Sequence, residues 1–326
     1  MHNIALLGGG RIGRIHAANA AAHHDLTLSH VVDPVPGAAE AVARATGALV
    51  STLDAVLAEA SVAGVIVASS TDTHLDFALK AHAAGKAIFC EKPIDLDLAR
   101  ARAAGDQLAD ARLFLGFNRR FDPNFQALKA RLDRGDVGRL ETLQITSNDP
   151  GPPPLAYIKV SGGLFKDMAI HDFDMARWLL GEEPAEVFAW GSCLVDPAIG
   201  TAGDIDTART LLRTASGRMC AIANSRRSGF GYDQRIEAYG SAGTVRADNA
   251  TESAVRVWTQ AGAQADSFQN FFLDRYRDAY RQEMDHFAQV LAGTAQPAVG
   301  YADGLAALAL AEAAAESLRT GLPVRL

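Results

Sequence analysis

The 326-residue chain is short of several things, and each shortage excludes a class of protein. It has three cysteines, Cys90, Cys193 and Cys220, widely spaced and odd in number. They fit neither a disulfide framework nor a zinc-ligand spacing. Each therefore reads as a small buried apolar residue, and the cytoplasm is the simplest compartment. Positive charge is also scarce: 31 Lys and Arg face 38 Asp and Glu, for a net charge of −7. That balance gives no electrostatic reason to bind nucleic acid or an anionic membrane. No run of about 18 apolar residues occurs, so no spanning helix is expected. The opening "MHNIALLGGGRIG" lacks a charged n-region and a cleavage pattern, which predicts no signal peptide. There is no HExxH and no G-x-S-x-G, so zinc-assisted or Ser/His/Asp hydrolysis has no local support. His23 and His24 are adjacent but have no third ligand beside them in the sequence, and no metal site is expected.

What is present is the composition of a packed soluble core, 48% hydrophobic and 21% charged, at a length suited to two domains. Residues 1–118 alternate apolar strands with helices. The strands are "NIALLGG", "LTLSHVVD", "ALVST", "VAGVIVASS", "KAIFCEKP" and "RLFLGFN". Continuous apolar strands separated by helices predict a doubly wound parallel sheet covered on both faces, an α/β domain of Rossmann type. Over 119–326 the pattern changes. A helix at about 122–134 precedes "RLETLQITSNDP", then several strands follow with few helices between them, and helices near 270–292 and 301–319 close the chain. This predicts an α+β domain with a large, mostly antiparallel open sheet.

"GGGRIG" places Gly8, Gly10 and Gly13 in the order GxGxxG between a strand and a helix. In that context Gly8 permits the tight turn and Gly10 the approach of a pyrophosphate. Gly13 permits close packing of helix on sheet. The helix N-terminus then offers its partial positive charge to the phosphates. Asp33 ends the second strand, twenty positions past Gly13, where a carboxylate accepts ribose hydroxyls and repels a 2′-phosphate. Pro34, Val35 and Pro36 follow it and include no Arg, so NAD is favoured over NADP.

A second stretch, "GGLFKDMAIHDFDMARWLLG" at 162–181, sets Asp167, His171, Asp174 and Trp178 on one helical stripe. On its own that stripe reads as structural, and Asp174 reads equally well as the i,i+3 partner of Arg177. Asp172 points away from His171. Beside a nucleotide domain, His171 becomes a general base, since its ordinary pKa lies near working pH. Asp167, four residues earlier, orients the imidazole or binds a substrate hydroxyl. Lys92 lies at the C-terminal end of a predicted parallel strand, where ligands of open α/β sheets bind. By residue type alone Lys92 reads equally well as a solvated surface lysine; in the site reading its ammonium stabilises a developing alkoxide or passes a proton in relay with His171.

"TDTHLDFALKAHAAGKAIFCEKPIDLDLA", with "GGGRIGRIHA" and "GGLFKDMAIHDFDMARWL", resembles the Gfo/Idh/MocA oxidoreductase family, and within it the inositol 2-dehydrogenases. The resemblance covers essentially the whole chain. It implies that Lys92 of the EKP motif, Asp167 and His171 are the catalytic set, with Lys in place of a zinc ion. It implies cofactor contacts from Gly8, Gly10, Arg11, Ile12, Gly13, Asp33, Thr71, His74, Glu91 and Lys92. Asn148, Asp149 and Tyr232 join Lys92, Asp167 and His171 as implied substrate contacts. The implied reaction is NAD-dependent oxidation of a cyclic polyol, myo-inositol to its 2-keto product, by a homotetramer built through the sheet faces. Another inositol isomer or a pyranose sugar fits the same site. A sugar sensor that binds NAD without turnover is the reading from another class.

Overall fold

A computed structural model describes residues 1–326. The chain forms two compact units. One comprises residues 1–121 and 278–308, the other 122–277 and 309–326.

The first unit begins with β1 (His2–Leu7), α1 (Arg11–Ala22), β2 (Leu26–Val32), α2 (Ala38–Thr46), β3 (Leu49–Val50) and α3 (Leu53–Ala58). It continues with β4 (Val62–Val67), α4 (His74–Ala83), β5 (Ala87–Glu91), α5 (Leu98–Ala103) and β6 (Leu113–Gly116). All six strands are parallel, in the order β3-β2-β1-β4-β5-β6. This is the doubly wound order that the alternating pattern predicts, and the direction of winding reverses between β1 and β4. The central strands carry continuous apolar stretches because both faces are covered. Ile4, Ala5 and Leu6 of β1, and Ile88, Phe89 and Cys90 of β5, are fully buried.

The second unit contains α6 (Pro123–Asp133), β7 (Leu140–Asn148), α7 (Leu155–Ile158), α8 (Ile170–Leu180), β8 (Pro184–Ser192), α9 (Pro197–Thr201), β9 (Thr207–Thr214) and β10 (Met219–Ser225). β11 (Asp233–Gly240), β12 (Gly243–Ala247), β13 (Arg256–Thr259), β14 (Gly262–Ala265) and α10 (Phe272–Arg275) follow. Then come α11 (Arg277–Leu291), α12 (Tyr301–Thr320) and β15 (Val324–Arg325). Seven strands form one sheet in the order β12-β11-β7-β10-β9-β8-β15. β7 and β10 run parallel and every other pair is antiparallel. In β9, Ala208, Thr210, Leu212 and Thr214 are buried while Arg209, Leu211 and Arg213 between them are exposed. That period-two alternation is the mark of a sheet covered on one face only. "AVRVWT" lies outside this sheet, as β13 of a separate two-stranded ribbon with β14.

The division by sequence at 118/119 is modified in space. The chain returns to the first unit over 278–308, bringing most of α11 and the start of α12. Gly64 in β4 shows why α11 fits there. A Cβ at Gly64 would stand 2.8 Å from Leu291 and 3.1 Å from Phe287, so the missing side chain makes room for the helix. Cys90 and Cys220 are buried as small apolar residues. Cys193 departs from that expectation. It is half-buried, and its thiol donates to the Asp196 carbonyl at 2.9 Å. No helix is long and apolar enough to cross a membrane.

Candidate functional site

In the first unit, β1 delivers the chain into the glycine loop. Gly8 has φ +105°, and a Cβ on it would lie 2.4 Å from the Ala68 carbonyl oxygen. A Cβ on Gly13 would lie 1.9 Å from the Gly8 oxygen. Both positions therefore demand glycine, one for conformation and one for close approach. Gly10 caps α1 without any side-chain bond and has open space where a Cβ would be. The first-turn N–H groups are thus left to an anion. Asp33 closes the loop from β2: its carboxylate accepts from Gly9 N at 2.6 Å and Val35 N at 2.7 Å. The residues present fit a dinucleotide, with Arg11 and Ile12 opening α1 beside the phosphate cradle.

The EKP segment follows β5, and the Lys92–Pro93 peptide is cis. Lys92 is half-buried. His74, at the start of α4, is buried, with Nδ1 2.7 Å from the Pro93 carbonyl and Nε2 3.2 Å from that of Ser69. Burial lowers its pKa, outweighing the two carbonyls that favour the cation. The neutral ring then donates through Nδ1 to Pro93 and braces the EKP turn through the main chain. Thr71 lies in the short turn just before it. Glu91 is buried as well. Its Oε1 lies 2.6 Å from His16 Nε2, and its Oε2 accepts from Lys92 N at 3.3 Å. Beneath this group lies Glu283 of α11, fully buried, with no hydrogen-bond partner for either carboxyl oxygen. Burial and, second, the Glu91 charge push its pKa well above the ordinary value, so it carries its proton at neutral pH.

In the second unit, Gly162 and Gly163 both take positive φ, 85° and 80°, and turn the chain into the helix that carries the candidate base. Asp204 accepts from Leu164 N at 3.0 Å at that entry. The expected uninterrupted α-helix is corrected here. Residues Phe165–Ala169 form a widened π-turn, and α8 proper begins at Ile170. Such turns are rare and recur at functional sites. Asp167 sits in the widened turn, ahead of His171. Tyr157 donates to Asp167 Oδ1 at 2.9 Å and Arg226 to its Oδ2 at 3.1 Å. The Arg226 guanidinium also faces Asp149 Oδ2 at 3.5 Å. Sheet register explains the meeting. Asn148 pairs with Ser225 on one side and Asp233 on the other, so residues just past the ends of β7 and β10 lie side by side.

The stripe through 167, 171, 174 and 178 separates by neighbour. Asp174 is buried and stands 3.8 Å from Arg177, the i,i+3 pairing that helix spacing allows. Trp178 lies under Lys129, 5.9 Å from Nζ to the ring centre. Asp172 is fully buried and accepts from Asn224 Nδ2 at 2.7 Å. Asn148 donates to Asp233 at 3.4 Å, and Tyr232 is buried edge-on to Tyr276. The second unit has a groove of about 470 Å³ beside α6 and another of about 490 Å³ on the outer sheet face. Asp167 and His171 line neither.

Sequence reasoning missed Arg226, Tyr157, Glu283 and the buried Arg119 just past β6. None lies in a motif, and only the fold brings Arg226 and Tyr157 to Asp167 and buries Glu283 and Arg119. The histidine pair also gains a neighbour not anticipated. Asp25 comes within 4.8 Å of His23 and His24. Its N–H donates to His23 Nδ1 at 3.0 Å, while Asp285 faces His23 Nε2 at 3.3 Å.

Comparison with known proteins agrees with both units. Residues 2–117 match the family model described as "Oxidoreductase family, NAD-binding Rossmann fold", and residues 125–246 match "GFO/IDH/MocA C-terminal domain". The chain is 49% identical over 315 residues to the inositol 2-dehydrogenase of Rhizobium meliloti (strain 1021), covering 96% of each chain. It is 45% identical to the myo-inositol 2-dehydrogenase of Thermotoga maritima, covering 99% of this chain and 98% of that one. Among solved structures, it resembles a putative myo-inositol dehydrogenase from Sinorhizobium meliloti 1021. The TM-score there is 0.96 at 47% identity, covering 100% of this chain and 99% of the other.

Proposed function

The chain belongs to the Gfo/Idh/MocA oxidoreductase family, and on that premise we propose that it oxidises a cyclic polyol with NAD, taking myo-inositol to 2-keto-myo-inositol. NAD supplies the hydride acceptor when bound. The rest falls to side chains. His171 takes the hydroxyl proton as the C–H bond breaks. Lys92 donates to the same oxygen and stabilises the alkoxide charge as it grows. Asp167, held at both oxygens by Tyr157 and Arg226, orients the imidazole and balances its positive charge. Asn148, Asp149 and Tyr232 contribute to the polyol side. The observation that carries the reading is that fixed carboxylate set ahead of His171, in a chain with a complete dinucleotide loop. Asp33 favours NAD over NADP, because a 2′-phosphate would meet its carboxylate.

A panel of myo-, scyllo- and chiro-inositol, glucose, galactose and xylose, followed by NADH absorbance, tests the substrate. The expected result is the highest kcat/KM with myo-inositol. A clear preference for another inositol isomer or a pyranose moves the assignment to that compound. Cofactor-dependent sugar binding with no NADH formed across the panel marks a sensor instead.

The reading extends to assembly and place. Trp190, Leu211 and Met219 stand 63%, 51% and 51% exposed on the open sheet face, too much apolar surface on one face to leave to water. A homotetramer in the cytoplasm, packed through that face, accounts for it. Sedimentation of the purified chain at four times 34.5 kDa is the expected outcome, and a stable monomer contradicts it.

A further inference from the structure

We propose that Arg226 is a positioning residue for this reaction, fixing the Asp167 carboxylate from behind and acting through it rather than on the reacting carbon. The inference rests on the function proposed above.

Three observations separate this role from an ordinary structural ion pair. The first is depth: the Arg226 side chain is 2% exposed, that of Asp167 13% and that of Asp149 20%. The guanidinium is therefore the inner group, and the carboxylates lie between it and solvent, on the side from which a ligand would come. The second is sharing: one guanidinium faces two carboxylates, Asp167 at 3.1 Å and Asp149 at 3.5 Å. Asp167 precedes His171, where an imidazolium forms during the proposed oxidation. The third is that Asp167 is held at both ends, by Tyr157 Oη on Oδ1 and Arg226 Nη2 on Oδ2. Two donors on different oxygens fix the carboxylate in direction as well as distance.

The surroundings do not offer Arg226 another purpose. Its own N–H donates to the Asp206 carbonyl at 2.8 Å, which anchors the backbone. The Asp206 carboxylate faces away, accepting from the N–H groups of Leu194, Val195 and Asp196 at 2.8 to 3.0 Å. Asp172, on the neighbouring α8, takes the amide of Asn224.

The test measures kcat and KM for the polyol separately, together with NAD affinity and thermal melting. The variants are Arg226→Gln and Arg226→Lys. Arg226→Gln is expected to lower kcat by about 10²-fold, the scale of a misplaced catalytic group, with NAD affinity unchanged. Arg226→Lys keeps the charge but not the planar donor geometry and falls between. A purely structural role predicts lowered melting with kcat of the folded enzyme near wild type, and that result overturns the proposal. Failure of the underlying function shows differently: the wild-type chain forms no NADH with any polyol.

Discussion

Two carboxyl pairs in this protein, one buried and one part-buried, are treated in opposite ways. In the first unit Glu91 and Glu283 share a buried region with His16. Glu91 has the imidazole and a backbone N–H, while Glu283 has no hydrogen-bond partner and stays neutral by keeping its proton. In the second unit Asp149 and Asp167 share the guanidinium of Arg226. Protonation removes a charge, whereas a guanidinium lets it persist. The first arrangement suits a carboxyl packed near Glu91, where a second negative charge would be repelled as well as desolvated. In the proposed reaction the other suits a carboxylate that meets a transient imidazolium.

The contrast can be broken at either pair. The larger effect is expected at the charged one. Asp167→Asn keeps the shape but removes the charge, and kcat should fall by about 10²-fold or more with NAD affinity unchanged. A loss below about threefold would mean that the charge is idle. The smaller effect is expected at the neutral pair. Glu283→Gln replaces one uncharged group with another, so kcat should stay within about twofold of wild type. Its signature lies in stability. A carboxyl whose folded pKa is raised contributes stability that is fully present below its unfolded pKa and is lost as pH rises towards the folded value. Wild-type stability should therefore decline as pH rises above the ordinary carboxyl range, by at most about 1.4 kcal/mol per pH unit, and Glu283→Gln should flatten that slope. Parallel melting profiles for the two proteins would show that Glu283 is ionised after all.

Local signals carried most of the architecture. The apolar stretches of the first-unit strands follow from both sheet faces being covered, and the glycine spacing is a local pattern, although Gly8 owes its need for glycine partly to the approach of Ala68 from β4's end. Asp33 was legible for a similar reason, since a strand end is a fixed distance from the loop it closes. The contacts around Asp167 were not. Arg226 lies 59 positions after Asp167, and its place beside Asp149 follows from the β10–β7 register, which no local pattern states. Glu283 reads as one polar residue in an amphipathic helix, and its burial follows from the return of 278–308 to the first unit. The π-turn at Phe165–Ala169 carries no proline or glycine within it to announce it. Helix spacing alone could not decide whether Asp174 serves Arg177 or a ligand; the structure pairs it with Arg177.

The most direct test is steady-state NADH formation from myo-inositol by His171→Ala and Lys92→Ala, with NAD affinity measured alongside. The account predicts that each variant loses about 10²-fold or more in kcat and binds NAD as the wild type does. Turnover near the wild-type rate in both variants would contradict it.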